Sequence, residues 1–285
     1  MIRQRLLNNG APRDGRVAFR FYFWSGLILL LLLVTLAGPK FMPHDPYAID
    51  LTQVQQPPSH EYSCGTDTLG RCIACRMIEG AFRSVFAAVL VVLITLVIGT
   101  LIGILCGFAG GVFDTVVMRV VDSFQAFPSL IFTIAVAAML GGSLTNCILA
   151  MSMVGWTGYA RLARSQVLTI KEKPYVSAAR VSGMSNAAIL FQMILPNSLR
   201  PLVVSATTHV GGSILSFSGL SFLGLGTAPP YPEWGNMLSD ARTHLQVAPW
   251  AAIFPGLAIL LVVVIMGMFG DSFNEYMNPS KTNSD

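Results

Sequence analysis

Charge is what this 285-residue sequence lacks. Asp, Glu, Lys and Arg supply 11% of it, against 53% hydrophobic residues and a mean hydropathy of +0.63. A soluble domain carries about 25% charged residues, so a water-facing enzyme or binding module is excluded. The Gly-Lys dipeptide is missing too, and with it the Gly-x-x-x-x-Gly-Lys-Ser/Thr phosphate loop. The chain therefore has no such means of hydrolysing ATP. His60-Glu61 is not followed by the second histidine of a zinc-protease motif, and no Ser, His and Asp set falls on the apolar runs. An intramembrane enzyme is accordingly disfavoured. The apolar runs also lack carboxylates. That weakens the alternative of an ion-coupled secondary transporter, which relies on intramembrane acids or interrupted helices.

What is present is a set of six apolar runs free of Asp, Glu, Lys and Arg: Phe21–Gly38, Ser84–Ala109, Ser123–Leu140, Leu144–Ala160, Pro201–Gly219 and Pro249–Gly270. A hydrocarbon core of about 30 Å needs about 20 such residues as helix, so the expected class is an all-α membrane protein with six transmembrane helices. The fourth run is the weakest, being short and carrying Thr145, Asn146 and Thr157. The first run is too long for a signal-peptide core and no small-x-small cleavage site stands out, so it is expected to be retained. A net charge of +4 could suggest nucleic acid, but the Lys and Arg residues sit in the connections between runs. Thirteen of the eighteen fall in 1–20, 110–122, 161–200 and the tail after Gly270. Basic residues resist translocation, which predicts N-in, C-in and no nucleic-acid partner.

The expected organisation is a cytoplasmic tail 1–20, a first helix 21–38, an external loop 39–83, a core of five helices 84–273 containing an inner loop 161–200, and a tail 274–285. The external loop is broken by Pro43, Pro46, Pro57 and Pro58, and from Arg71 it reads as an amphipathic helix with its basic face among lipid headgroups. Cys64, Cys72 and Cys75 lie in it. An external disulfide is open to them, as is metal ligation at Cys-x-x-Cys. With no second Cys-x-x-Cys and no paired His, plain packing is favoured and no metal site is expected.

The inner loop carries Arg161, Arg164, Lys171, Lys173, Arg180 and Arg200 against one acid, Glu172. Pro174 suits the first turn of a helix. Val176, Ala179 and Gly183 would share a face, with Gly183 ending the helix, and a second short helix from Asn186 is expected to stop before Pro196. Spacing alone leaves open a solvated basic loop on anionic lipid or a compact docking knob. Within the spans, Gly99, Gly103 and Gly107 recur every fourth residue, which allows close helix approach. Pro128 and Pro255 are expected to kink their helices, and Arg119 to pair with Asp122. His209 is the only imidazole in a run and is a candidate for the translocation path.

Four separated motifs resemble permease subunits of binding-protein-dependent ABC importers, in the branch for dipeptides, oligopeptides and nickel, and the resemblance covers the chain from about residue 40 to its end. The motifs are Gly65-Thr66-Asp67…Gly70-Arg71, Gly110-Gly111…Phe113-Asp114…Met118-Arg119…Asp122…Phe127-Pro128, the stretch Ser177-Ala178-Ala179…Gly183…Met193…Leu195-Pro196, and Phe222–Arg242. Ser177 and Met193 depart from the Glu and Ile of the family signature, and Cys72 and Cys75 from its usual Asp and Ser. The resemblance implies the type I permease fold and no cofactor. It makes Ser177, Ala178, Ala179, Arg180, Gly183, Leu195 and Pro196 the coupling segment that docks on ATPase subunits. It further implies a heterodimer with a second permease, an external solute-binding protein, membrane lipid around the spans, and an inner-membrane location.

Overall fold

The computed structural model describes residues 15–277, where every regular element is helical apart from an isolated bridge between Thr66 and Cys72. Arg3, Arg5 and Arg13 of the N-terminal tail and Lys281 of the C-terminal tail lie outside the described residues. Helix α1 (Gly15–Ala37) begins ahead of the expected start at Phe21. Helix α2 (Ile73–Ala109) joins the amphipathic segment and the second span in one 37-residue rod. At 1.5 Å per residue it is about 55 Å long, so its first turns stand clear of a ~30 Å hydrocarbon core.

The third run is corrected. Ser123–Leu140 is not one helix: α3 (Gly111–Ala126) and α4 (Ser129–Leu140) meet at 86°. Pro128 has no N–H to give and forces its predecessor out of helical geometry, leaving Phe127 extended at φ −88°, ψ 140°. Helix α5 (Leu144–Lys171) runs well past the expected end of its span, so Arg161 and Arg164 lie on a helix and not in a loop. After α6 (Pro174–Val181) comes α7 (Asn186–Phe222), then α8 (Trp234–Ala241) and α9 (Trp250–Met277). Among the described residues four helices, α1, α2, α7 and α9, are long and apolar enough to cross a membrane, and the bent α3–α4 pair makes up to five. Helix α5 falls short on apolarity because Thr145, Asn146, Arg161, Arg164 and Lys171 lie along it.

The expected stop before Pro196 is also corrected. A π-turn over Leu190–Ile194, closed by the Leu195 N–H on the Leu190 carbonyl, carries the helix through. Pro196 then falls in the first turn of the following α-helical stretch, and the Asn197 side-chain amide donates to the Met193 carbonyl at 2.6 Å. Widening the helix by one residue moves the carbonyls that a proline would otherwise strand. Pro255 lies inside an uninterrupted α9.

Helices α2 and α5 run parallel along the glycine ridge. A Cβ at Gly99 would strike the Trp156 carbonyl, one at Gly103 would lie 2.7 Å from the Ala163 Cβ, and one at Gly107 2.8 Å from the Val167 Cβ. Helices α7 and α9 run antiparallel, Gly211 against Val263 and Gly270 against Thr208. Helix α1 lies along α9, with Arg20 and Glu275 paired at 3.0 Å and the Phe21 and Tyr276 rings stacked at 4.4 Å. These pairings gather the start of α1, the ends of α2, α5 and α9, α6 and the start of α7 at one pole. The start of α2, α8 and the long loops form the other.

Candidate functional site

A cavity of about 360 Å³ opens between α2, α4, α5 and α7. Its polar wall is made of neutral groups: Thr95, Ser129, Thr133, Ser213, Ser216 and the Tyr159 hydroxyl, with His209 as the one ionisable base. His209 Nδ1 and Tyr159 Oη are 2.9 Å apart and the two rings meet edge-on at 81°. The imidazole therefore has a protein partner and also faces the cavity. Periodicity identifies His209 but misses Tyr159, because the two are fifty positions apart in the chain. Their meeting depends on how α5 packs on α7.

The pole holding α6 is tied together by ionic contacts. Arg164 makes a bidentate pair with Asp114, both distances 2.6 Å, and Lys171 Nζ donates to the carbonyls of Gly107 and Phe108 at the end of α2. A cation there satisfies carbonyls that have no partner within the helix. The expected Arg119–Asp122 pair is replaced by Arg161–Asp122 at 2.6 Å, since the extended α5 brings its own arginine to that carboxylate.

Helix α6 starts at Pro174 and ends in a glycine cap. Gly183 takes φ +82°, the Met184 N–H reaches the Ala179 carbonyl and the Gly183 N–H that of Arg180, the double bond of a Schellman ending. The three residues expected on one face divide: Val176 and Ala179 are buried against the bundle, while Gly183 is exposed. Ser177, Ala178, Arg180 and Val181 face outward, Pro196 is exposed and Leu195 half-buried. Ala179 thus supports α6 from within, and the outward face combines the small Ser177, Ala178 and Gly183 with Arg180, Tyr175 and Val181.

At the opposite pole the basic face expected among headgroups is corrected. Arg71 and Arg76 are buried, Arg71 Nε lying 2.7 Å and Arg76 Nε 3.5 Å from Asp67 Oδ2, and Arg76 also donates to the Pro46 carbonyl at 3.1 Å. They fasten the 39–83 loop down. Glu233 caps α8: its carboxylate accepts from the Gly235 and Asn236 N–H groups and from Ser84 Oγ. Burial pushes this carboxyl up despite those bonds. The Trp234 indole donates to the Met77 carbonyl at 2.9 Å, which seats the start of α8 on α2. The five cysteines are free thiols, so the disulfide considered for Cys64 is not formed.

A model described as binding-protein-dependent transport system inner membrane component matches residues 99–283, from the middle of α2 through α9. The chain belongs to that family. The dipeptide transport system permease protein DppC of Alkalihalophilus pseudofirmus is 39% identical over 89% of this chain and 84% of its own length. The glutathione transport system permease protein GsiD of Escherichia coli is 39% identical over 88% of this chain and 84% of its own length. A solved structure titled "Crystal structure of an amino acid ABC transporter with histidines" aligns with a TM-score of 0.55 over 71% of this chain and 94% of that one. At 13% identity it speaks for the fold alone, which is that of an ABC permease. This family member is a multi-pass inner-membrane permease subunit.

Proposed function

We propose that the chain is one of two permease subunits lining the translocation path of an ATP-driven importer of small peptides, with cargo delivered by an external binding protein. The cavity carries this reading. Its wall offers hydroxyls and one imidazole and no Asp, Glu, Lys or Arg, a surface that can hydrogen-bond a zwitterionic peptide without trapping it. A nickel chelate would find only His209 and Met151 there, a poor ligand set. Relatives named for dipeptides and glutathione agree with the peptide choice. The second permease would cover the apolar side chains exposed along α3 and α4, such as Val116, Phe127 and Ile131.

The pole carrying α6 is the cytoplasmic one in this proposal, which places both termini inside and makes six crossings with the bent α3–α4 pair counted as one. Ser177, Ala178, Arg180 and Gly183 on its surface would dock on an ATPase subunit, with Ala179, Leu195 and Pro196 backing them. Small side chains permit the close seating that a rigid lever needs, and alternating access follows from the two permeases rocking against each other. The test is reconstitution with the second permease, the ATPase pair and the binding protein, followed by uptake of labelled dipeptide, glutathione and nickel chelate. ATP-dependent peptide uptake is expected, lost together with ATPase co-purification when Gly183 becomes valine. Normal coupling in Gly183→Val, or uptake driven by an ion gradient without ATP, contradicts the proposal.

A further inference from the structure

The cysteines of the external segment acquire a third partner in the fold. His44, twenty-eight positions before Cys72, folds back onto the start of α2, where one ring nitrogen of His44 and the Sγ atoms of Cys72 and Cys75 all lie within 4.8 Å of one another. Both cysteines are buried, at 3% and 0% exposure, and His44 Nδ1 is buried with no hydrogen-bond partner. A stranded imidazole nitrogen is costly in such surroundings. Having no hydrogen-bond partner, it is also free to ligate a metal. We propose that His44, Cys72 and Cys75 form a site for a thiophilic divalent cation, zinc first, that staples the external loop to α2.

Several features hold the three ligands in place. Cys72 is the N-cap of α2 and its sulfur accepts the Cys75 N–H at 3.4 Å. The His44 ring lies against Tyr62, centroids 4.7 Å apart and planes inclined by 22°. Arg76 grips the Pro46 carbonyl two residues on, and the Ile73 N–H bonds the Gly65 carbonyl. In a tetrahedral zinc site the Zn–S and Zn–N lengths put ligand atoms about 3.6–3.8 Å apart, so closure from 4.8 Å needs shifts below about 1 Å. Binding deprotonates the two thiols and releases both protons to solvent. Two thiolates and a neutral imidazole then cancel the dication's charge, which suits a buried position. Three protein ligands leave the fourth position to water.

The site is tested on the full-length chain purified in detergent under reducing conditions, stripped with a chelator and reloaded with zinc sulfate alone. Wild type and Cys106→Ser are expected to retain about one zinc per chain. His44→Gln and Cys75→Ser should bind at least about 100-fold more weakly, since loss of a ligand exceeds the cost of losing an outer-shell partner. His44→Cys, which exchanges one ligand type for another, should keep the metal. Cobalt(II) in place of zinc should give a thiolate charge-transfer band that weakens in Cys75→Ser, with helical content and elution position unchanged. Three results overturn the site: a wild-type chain that retains no zinc, equal zinc in His44→Gln, or a Cys72–Cys75 disulfide in protein isolated without reductant, seen as the loss of two hydrogens in the intact mass.

Discussion

Replacing Gly103 by alanine tests how the bundle is held together. Alanine is the better helix former, by up to ~1 kcal/mol, so an unpacked site would gain stability. Here the added Cβ would collide with the Ala160 carbonyl oxygen, with that group's carbon at 3.0 Å and the Ala163 Cβ at 2.7 Å. The obstacle is backbone and cannot rotate away, so α2 and α5 must separate. Overpacking of this kind costs about 1–3 kcal/mol, and the rigid neighbour places the gross cost in the upper half of that range. After the propensity gain, a net loss of ~1–2 kcal/mol remains, or about 2–8 °C in Tm. Gly267→Ala in α9 is the control, since nothing lies within 4 Å of its Cβ position; it should be neutral or slightly stabilising. Thermal unfolding in detergent reads both variants, and peptide uptake should fall in Gly103→Ala alone because α5 carries Tyr159 into the cavity. A Gly103→Ala melting temperature at or above wild type would refute the close-packing argument.

His209→Ala should lower uptake without lowering the amount of protein in the membrane; unchanged uptake removes His209 from the path. Asp114→Asn leaves the part-buried Arg164 guanidinium without its carboxylate and is expected to cost about 1–3 kcal/mol, read as a drop in Tm that the swap Asp114→Arg with Arg164→Asp partly reverses. For Glu233, burial raises the carboxyl above its ordinary 4.5, so the folded chain holds the proton more tightly than the unfolded one. That contribution to stability is fully present below pH 4.5 and is lost as the pH rises through the folded-state value. Glu233→Gln should therefore flatten the fall of Tm with pH above 4.5, and parallel curves for the two proteins would discard the idea.

Apolar run length was enough to locate α1, α2, α7 and α9, because a bilayer demands it. Capping chemistry was equally legible: Pro174 opens α6, and Gly183 closes it in the left-handed region. Run length alone does not separate a rod from a bent pair, but the bend between α3 and α4 was legible in Pro128 itself. Pro196 misled because the π-turn that accommodates it has no residue signature of its own. The buried arginines were harder still. Arg71 and Arg76 have the spacing of an exposed amphipathic face, and only the return of Asp67 and the Pro46 carbonyl to the start of α2 makes them interior. His44 illustrates the same limit, because a ligand separated by a long loop leaves no spacing pattern beside Cys72 and Cys75.

The proposed transport cycle requires α6 to be a lever gripped from inside the cell. Ala178 is exposed on its outward face, and of the five cysteines only Cys64 is not buried. An Ala178→Cys chain lacking Cys64 can therefore be labelled with a membrane-impermeant maleimide in inside-out vesicles and in right-side-out spheroplasts. Labelling is expected only in inside-out vesicles, with protection there when the ATPase subunits are bound. Labelling of the Ala178→Cys chain in spheroplasts would contradict the cytoplasmic placement of α6 and the docking that depends on it.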